Sequence, residues 1–296
     1  MWQPPGFEER GPNGEKWVCR LRKGLYGLKQ SGRLWNQKLT TELEHLGFSA
    51  IKSDPAVYIM EMEGVRIIMP VFVDAITITS KDHTKIKWIK DSLAKVFKLK
   101  DLGPTKFLLG IQIDYDQANC TISLSQRQYI LDILTRFKMS DCSPVSTPMD
   151  PGSGLRLRKY VPDPDNPVDM STTPYMSAVG ALMYLAIGTR PDIMFTVTKL
   201  AQYNANPGPQ HWQAVKHVLR YLQGTKDLRL TFCANDSDTM SSELCEGYSD
   251  ADHAGCLDTR RSTSGFLIKM GTGAVCWSAK KQAVVADSST KAEYIS

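Results

Sequence analysis

Few features push this chain toward an extreme class. Its seven cysteines, at 19, 120, 142, 233, 245, 256 and 276, are odd in number and include no C-x-x-C pair. Neither a disulfide framework nor a zinc site is indicated, and a reducing intracellular compartment fits best. No apolar run approaches the roughly 18 residues of a membrane span. The opening "MWQPPGFEER" lacks the apolar stretch of a signal peptide, so no membrane partner is expected. Charge of one sign is also scarce: 36 Lys and Arg against 31 Asp and Glu give +5, which permits a nucleic-acid partner without implying one.

What is there is globular chemistry. With 42% apolar and 23% charged residues over 296 positions, the chain can bury one large core or two ordinary ones. Trp35, Leu39, Leu43 and Leu46 recur at helical spacing until Gly47, a natural C-cap. Ile86, Ile89, Leu93, Val96 and Phe97 mark a second helix from about Asp82 to Lys98, whose other face carries lysines 85, 87, 90 and 95. Such a face is ordinarily solvated surface. Between these helices "MPVFVDAITITS", residues 69–80, reads as a hairpin whose two apolar runs meet at Asp74-Ala75. An acid there is either a turn residue, chosen for its side-chain hydrogen bonds, or something more specific.

A second hairpin is expected over 107–124, from "FLLGIQID" to "CTISLS", followed by a helix near 126–138. The stretch 143–174 then holds seven prolines and reads as a linker, so a domain boundary is expected there. Helices follow at 175–187, 191–205 and 210–223, the last built on Trp212, Val215, Val218, Leu219 and Leu222. From 228 the period returns to two, with strands near "LRLTFC", "ELCEGYSD", "SGFLIKMG" and "AVCWSAK" and a closing helix opened by Ser288-Ser289.

Ten blocks carry a family likeness: "QPPGFEE", "LRKGLYGLKQSGRLWNQKL", "FVDA", "KLKDLGPTKFLLGIQI", "ISLSQRQYI", "VSTPM", "VGALMYLAIGTRPDI", "HWQAVKHVLRYLQGTKDLRL", "GYSDADHAGCLDTRRSTSGFLI" and "SSTKAEYIS". Together they span nearly the whole chain. In this order they resemble the Pol polyprotein of copia-type LTR retrotransposons, from the middle of the reverse transcriptase palm to the beginning of RNase H. The resemblance implies an α+β fold: a partial palm and thumb over 1–142, a Pro-rich linker at 143–174, a helical connection at 175–235 and an incomplete RNase H-like sheet from 236 to 296.

The same resemblance implies chemistry. The family's hairpin tip reads Tyr-Val-Asp-Asp and is similar to "FVDA", so Asp74 stands where a catalytic metal ligand would be and Ala75 replaces its neighbour. Two-metal nucleotidyl transfer needs clustered carboxylates around Mg2+. A further family aspartate belongs upstream of "QPPGFE", so an incomplete polymerase site is expected. Gly27, Lys29, Gln30 and Arg33 fall in the segment that packs under the incoming nucleotide, with Gly32 where the family usually has Pro. Asp250 and Glu293 match two of the four RNase H acids, with Asp252 an alternative strand-end acid and His253 where Trp is common. The expected partners are template-primer or RNA–DNA hybrid, held weakly, and the other Pol segments. The expected place is the cytoplasm, in virus-like particles, or the nucleus. The expected function is a reverse transcriptase and RNase H fragment that is catalytically inactive in this chain, the alternative being a non-catalytic nucleic-acid-binding remnant or domesticated module. Sheet strands without neighbours predict that the region from about 240 onward is the least stable.

Overall fold

The structure is a computed structural model describing residues 1–150, 152, 157–163, 168–233 and 245–296. It divides into two compact units, Met1–Pro104 and Thr105–Ser296.

In the first unit, α1 (Ser31–His45) and α2 (His83–Ala94) pack on an antiparallel sheet of β1 (Ser49–Ala50), β2 (Val57–Met62), β3 (Val65–Phe72) and β4 (Ala75–Ile76), in that order. Gly47 ends α1 as its position predicts. With φ at +96°, its N–H reaches the Glu44 carbonyl while the Phe48 N–H reaches that of Leu43, a Schellman motif that buries Leu43 against Phe48. Asp82 opens α2 by accepting from the Thr84 N–H at 2.8 Å. Alternation then sorts the strands: Tyr58 and Met60 of β2 and Ile67 and Met69 of β3 meet Leu39, Ile89, Leu93 and Phe97 in one core.

The second unit holds two more antiparallel sheets. One runs β5 (Phe107–Leu108), β6 (Ile111–Asp116), β7 (Thr121–Ser125) and β8 (Leu230–Cys233), joining residues more than 100 positions apart through pairs such as Ser123 with Thr231. The other has the order β11 (Gly273–Lys281), β10 (Thr263–Met270), β9 (Glu246–Ala251). Helices α3 (Arg127–Arg136), α4 (Tyr175–Gly188), α5 (Met194–Ala201) and α6 (Pro209–Gly224) share a core, and α7 (Ser289–Ile295) starts on Ser288, whose hydroxyl accepts from the Lys291 N–H. The architecture is α+β, as expected. Among the described residues no helix is long and apolar enough to cross a membrane, and the seven cysteines are free thiols.

Several expectations change. "FLLGIQID" is not one strand: Leu109 and Gly110 take φ of +52° and +73°, so Phe107–Leu108 folds back onto β6. The helix expected over 191–205 begins with a 3-10 turn at Pro191–Ile193 and ends at Ala201. The compact units divide at Pro104, so the Pro-rich stretch 143–174 falls inside the second unit. Its described residues are docked through carbonyls: Ser143 accepts from Arg220, Leu157 from the Tyr203 hydroxyl and Arg158 from His211. Proline removes N–H donors but leaves every carbonyl in need of one, and side chains of α6 and of the turn before it supply them. Positions 151, 153–156 and 164–167 of this stretch lie outside the described residues. So do 234–244, where the RNase H-like region and the strand "ELCEGYSD" were expected to begin. Trp277 of β11 packs on the helical core and donates from Nε1 to the Ala186 carbonyl at 2.7 Å.

Two buried polar groups organise the helices. Arg190, only 2% exposed, forks onto Asp192 and donates to both the carbonyl and the hydroxyl of Thr225, while the Tyr221 hydroxyl donates to the same Asp192. It thereby ties the end of α6 to the start of α5. Arg190→Ala removes the buried donors to Thr225 and one of the two partners of the exposed Asp192 carboxylate, which keeps the Tyr221 hydroxyl, and is expected to cost about 1.5–3 kcal/mol, the range for hydrogen bonds to a charged group. Arg190→Lys, without the planar fork, recovers only part of this. Urea unfolding of the three proteins measures both.

His211, fully buried, accepts from the Gly208 N–H at Nδ1 and donates from Nε2 to Arg158, which fixes one tautomer, and its ring stacks on Tyr203 at 4.0 Å. Burial pushes its imidazole below the ordinary 6.5, against the upward pull of the Arg158 carbonyl and the Asp258 carboxylate. The unfolded chain therefore takes up this proton first as pH falls. Stability should drop below pH about 6.5 and level off once the folded imidazole also protonates. The urea midpoint of the wild type should fall between pH 7.5 and 5.5 by more than that of His211→Gln.

Candidate hairpin site and its cationic flank

The hairpin exists, one residue displaced from the expected tip. Phe72 pairs with Ala75, so Val73 and Asp74 form a two-residue turn and Ala75 belongs to the return strand, which continues to a bridge between Ile68 and Thr79. Val73 has φ of +57°. A β-branched side chain there is a steric outlier costing on the order of 1–3 kcal/mol, which the surrounding structure must sustain. Trp35 of α1 contributes: its indole Nε1 donates to the Val73 carbonyl at 2.9 Å while its ring meets Phe97 edge-on at 5.3 Å. Asp74 is exposed at the tip, beside exposed Phe72 and Val73.

The segment before α1 is a chain of turns. Gly27, at φ +89°, sits in the Leu25–Leu28 turn, and the Ser31 hydroxyl donates to the Leu25 carbonyl. This leaves Tyr26 94% exposed and Lys29, Gln30 and Arg33 in solvent at the entry to α1. From Lys16 to Thr41 there is no acid, whereas Lys16, Arg20, Arg22, Lys23, Lys29, Arg33 and Lys38 are all exposed. Sequence reasoning had named only Lys29 and Arg33. The acid-free run was the missed signal, since evenly mixed net charge hides a local excess.

The lysine face of α2 matches its expectation at the exposed Lys87 and Lys95 but not at Lys85 and Lys90. Lys85 is 8% exposed and donates to the Met62 carbonyl at 2.8 Å and to Glu63 at 2.7 Å, and Lys90 holds Asp101 at 2.9 Å. The Lys90 ammonium, with the Gly103 N–H, keeps the Asp101 carboxyl below its usual range. A long aliphatic stem lets a lysine on the inner side of a helix run along apolar surface to a turn. Lys85 is thus a fastener of the β2–β3 turn.

In the second unit Asp250 and Glu293 come to one sheet end. Glu293 of α7 accepts from the Ala251 N–H at 3.1 Å, next to Asp250 on β9, whose carbonyl accepts from the Ser296 hydroxyl at 2.8 Å. Asp252 is occupied otherwise, accepting from the Thr263 N–H at 2.6 Å, and His253 is exposed. Among the described residues, no three His, Cys, Asp or Glu side chains gather as a metal site. The arrangement does not fit a pair of metal ions at either place: the hairpin tip carries one carboxylate followed by a methyl, and the sheet end carries two acids, one already bound to backbone.

The chain is an α+β protein with an acid on a strained hairpin tip and an acid-free, cationic segment leading into the helix whose Trp35 bonds that turn. Comparison with known proteins is more specific, and the chain belongs to the reverse transcriptase family. The family described as "Reverse transcriptase (RNA-dependent DNA polymerase)" matches residues 1–151. The chain is 40% identical over 296 residues to the retrovirus-related Pol polyprotein from transposon TNT 1-94 of Nicotiana tabacum, covering 100% of this chain and 22% of that protein. It is also 40% identical to the Pol polyprotein from transposon RE2 of Arabidopsis thaliana, covering 99% of this chain and 19% of that one. A putative transposon Ty5-1 protein of Saccharomyces cerevisiae is 31% identical and is covered over 91% of its length. The chain thus spans about a fifth of the plant Pol polyproteins, as a reverse transcriptase segment of copia-type elements. No solved structure matches.

Removing Lys85 tests the reassignment of α2. Lys85→Ala is expected to lower stability by about 1.5–3 kcal/mol, the range for a hydrogen bond from a charged group, and to leave any binding of a labelled oligonucleotide as it is in the wild type. Chemical denaturation and fluorescence anisotropy on the same variant separate the two roles.

Proposed function

We propose that the chain is a copia-type reverse transcriptase segment that holds nucleic acid without completing catalysis by itself. The first unit contains the palm part around Asp74, and β9–β11 with α7 form the beginning of an RNase H-like domain. The observation that carries this is Asp74 on a hairpin tip whose neighbour Val73 is bonded by Trp35, a residue of the acid-free run 16–41 that carries seven exposed cations. Phosphate contacts from Arg20, Arg22, Lys23, Lys29 and Arg33 supply sequence-independent affinity, and Tyr26 offers a face on which a base stacks. Gly27 lets the backbone approach closely. The natural ligand class is a template-primer duplex or an RNA–DNA hybrid, consistent with relatives named as Pol polyproteins.

The family works with divalent metal ions, but Ala75 stands where the tip's second acid would be, and among the described residues Asp74 belongs to no group of three or more His, Cys, Asp or Glu side chains that could hold a metal. The residues of this chain therefore bind and orient a polyanion.

Two measurements check the reading. Anisotropy titration with a labelled template-primer should show affinity falling with salt on a log-log slope on the order of −2 to −5, and replacing Arg20, Arg22 and Lys23 with alanine should flatten it. A salt-independent affinity, or no loss in the triple variant, overturns the binding surface. Primer extension with Mg2+ or Mn2+ should stay at background, also for Ala75→Asp alone. Template-directed synthesis by the purified chain overturns the inactivity.

A further inference from the structure

We infer that Trp35 is a positioning residue for Asp74, holding the hairpin tip in its left-handed turn and coupling it to the cationic segment that leads into α1. This deepens the reading above and rests on it for the role of Asp74.

The turn does not favour its own conformation. A two-residue hairpin loop whose first residue has positive φ normally recruits glycine there, yet this one has Val73 at +57°. Left to itself, a β-branched residue relaxes to negative φ and swings the following residue, Asp74, to a new direction. The two strand pairs beside the loop, Val71 with Ile76 and Phe72 with Ala75, fix the ends but not the turn between them. The added restraint is the indole N–H of Trp35, 2.9 Å from the Val73 carbonyl, across 38 positions of sequence.

Trp35 is itself held from two directions. Its ring packs edge-on against Phe97, which is buried and which also carries the Lys38 ammonium 5.8 Å from its centroid. Its helix begins four residues earlier at Ser31, directly after Lys29 and Gln30, with Arg33 in the first turn. A rigid helical turn thus links the residues proposed to meet phosphate to the donor that meets the tip. The indole remains 37% exposed because its N–H is turned to a surface loop, a placement that core packing alone would not select.

The experiment uses the full chain, isotope-labelled, with Trp35→Phe, Trp35→Ala and Val73→Gly. Phenylalanine keeps the ring against Phe97 and removes only the donor. In Trp35→Phe the urea midpoint should stay close to that of the wild type. The three-bond HN–Hα coupling of Val73 should leave its left-handed value, and amide exchange at Asp74 and Ala75 should quicken roughly threefold to tenfold, the equivalent of one net hydrogen bond. In the Val73→Gly background, where positive φ is free of strain, the same Trp35→Phe change should alter exchange by less than twofold. Adding template-primer should shift the Trp35 indole and Val73–Ala75 resonances together in the wild type, and only the indole-side neighbours in α1 in Trp35→Phe. An unchanged Val73 coupling and exchange rate in Trp35→Phe overturns the inference, as does an equal effect in the glycine background. If no oligonucleotide binds, the proposed function fails, while the coupling and exchange data still decide the role of Trp35.

Discussion

The buried guanidinium of Arg190 is the constraint on which the second unit depends. A charge taken out of water is costly unless every donor finds an acceptor, and here the acceptors come from the turn before α5 and from the cap of α6. Satisfying Arg190 therefore sets how α4, α5 and α6 meet. The same junction is tightened from the other side by the Thr189 hydroxyl donating to buried Gln126 at the head of α3. Apolar packing among Leu182, Val197, Val218 and Leu219 supplies the bulk of the burial, but it is tolerant of small rotations. The guanidinium fork is not, so it selects one packing among many of similar hydrophobic content.

The first unit uses strain where the second uses charge. Its core is simple: alternating residues of β2 and β3 against the inner faces of α1 and α2. That scaffold is what allows Val73 to be held in a conformation it disfavours, one strand-end away from buried Met69. The result is an exposed acid presented at the end of a sheet, beside a turn that Trp35 of α1 bonds. Because Ala75 follows Asp74, the tip carries a single carboxylate.

Charge and proline illustrate where one-dimensional reading goes astray. The lysines of α2 look alike in sequence, yet Lys85 lies under the β2–β3 turn and Lys90 reaches Asp101. Only the direction of each side chain from the helix axis separates them. The stretch 143–174 looks like a spacer because proline excludes regular structure. Its carbonyls are nevertheless a row of acceptors, and Arg220, Tyr203 and His211 are placed by folded elements to meet them. Composition reports that a segment cannot pair in a sheet. It does not report whether something else pairs with it.

The sequence by itself determined the elements and the family: helical spacing ended by Gly47, the hairpin around Asp74, the return of period two after 228, and ten ordered blocks shared with copia-type Pol proteins. These are local, set by backbone preferences and by which side of a short element is apolar, so they survive reading along the chain. Tertiary structure decided what depends on partners far apart in sequence. Val73 lies in a turn because the register fixes Phe72 and Ala75 on either side of it, and Trp35 acts on it from 38 positions away. Asp250 and Glu293 share a sheet end because α7 folds back onto β9, and Arg190 is buried because α6 ends beside α5. Each of these is a contact whose free energy exists only once the chain has closed a long loop, and no local pattern of residues encodes it.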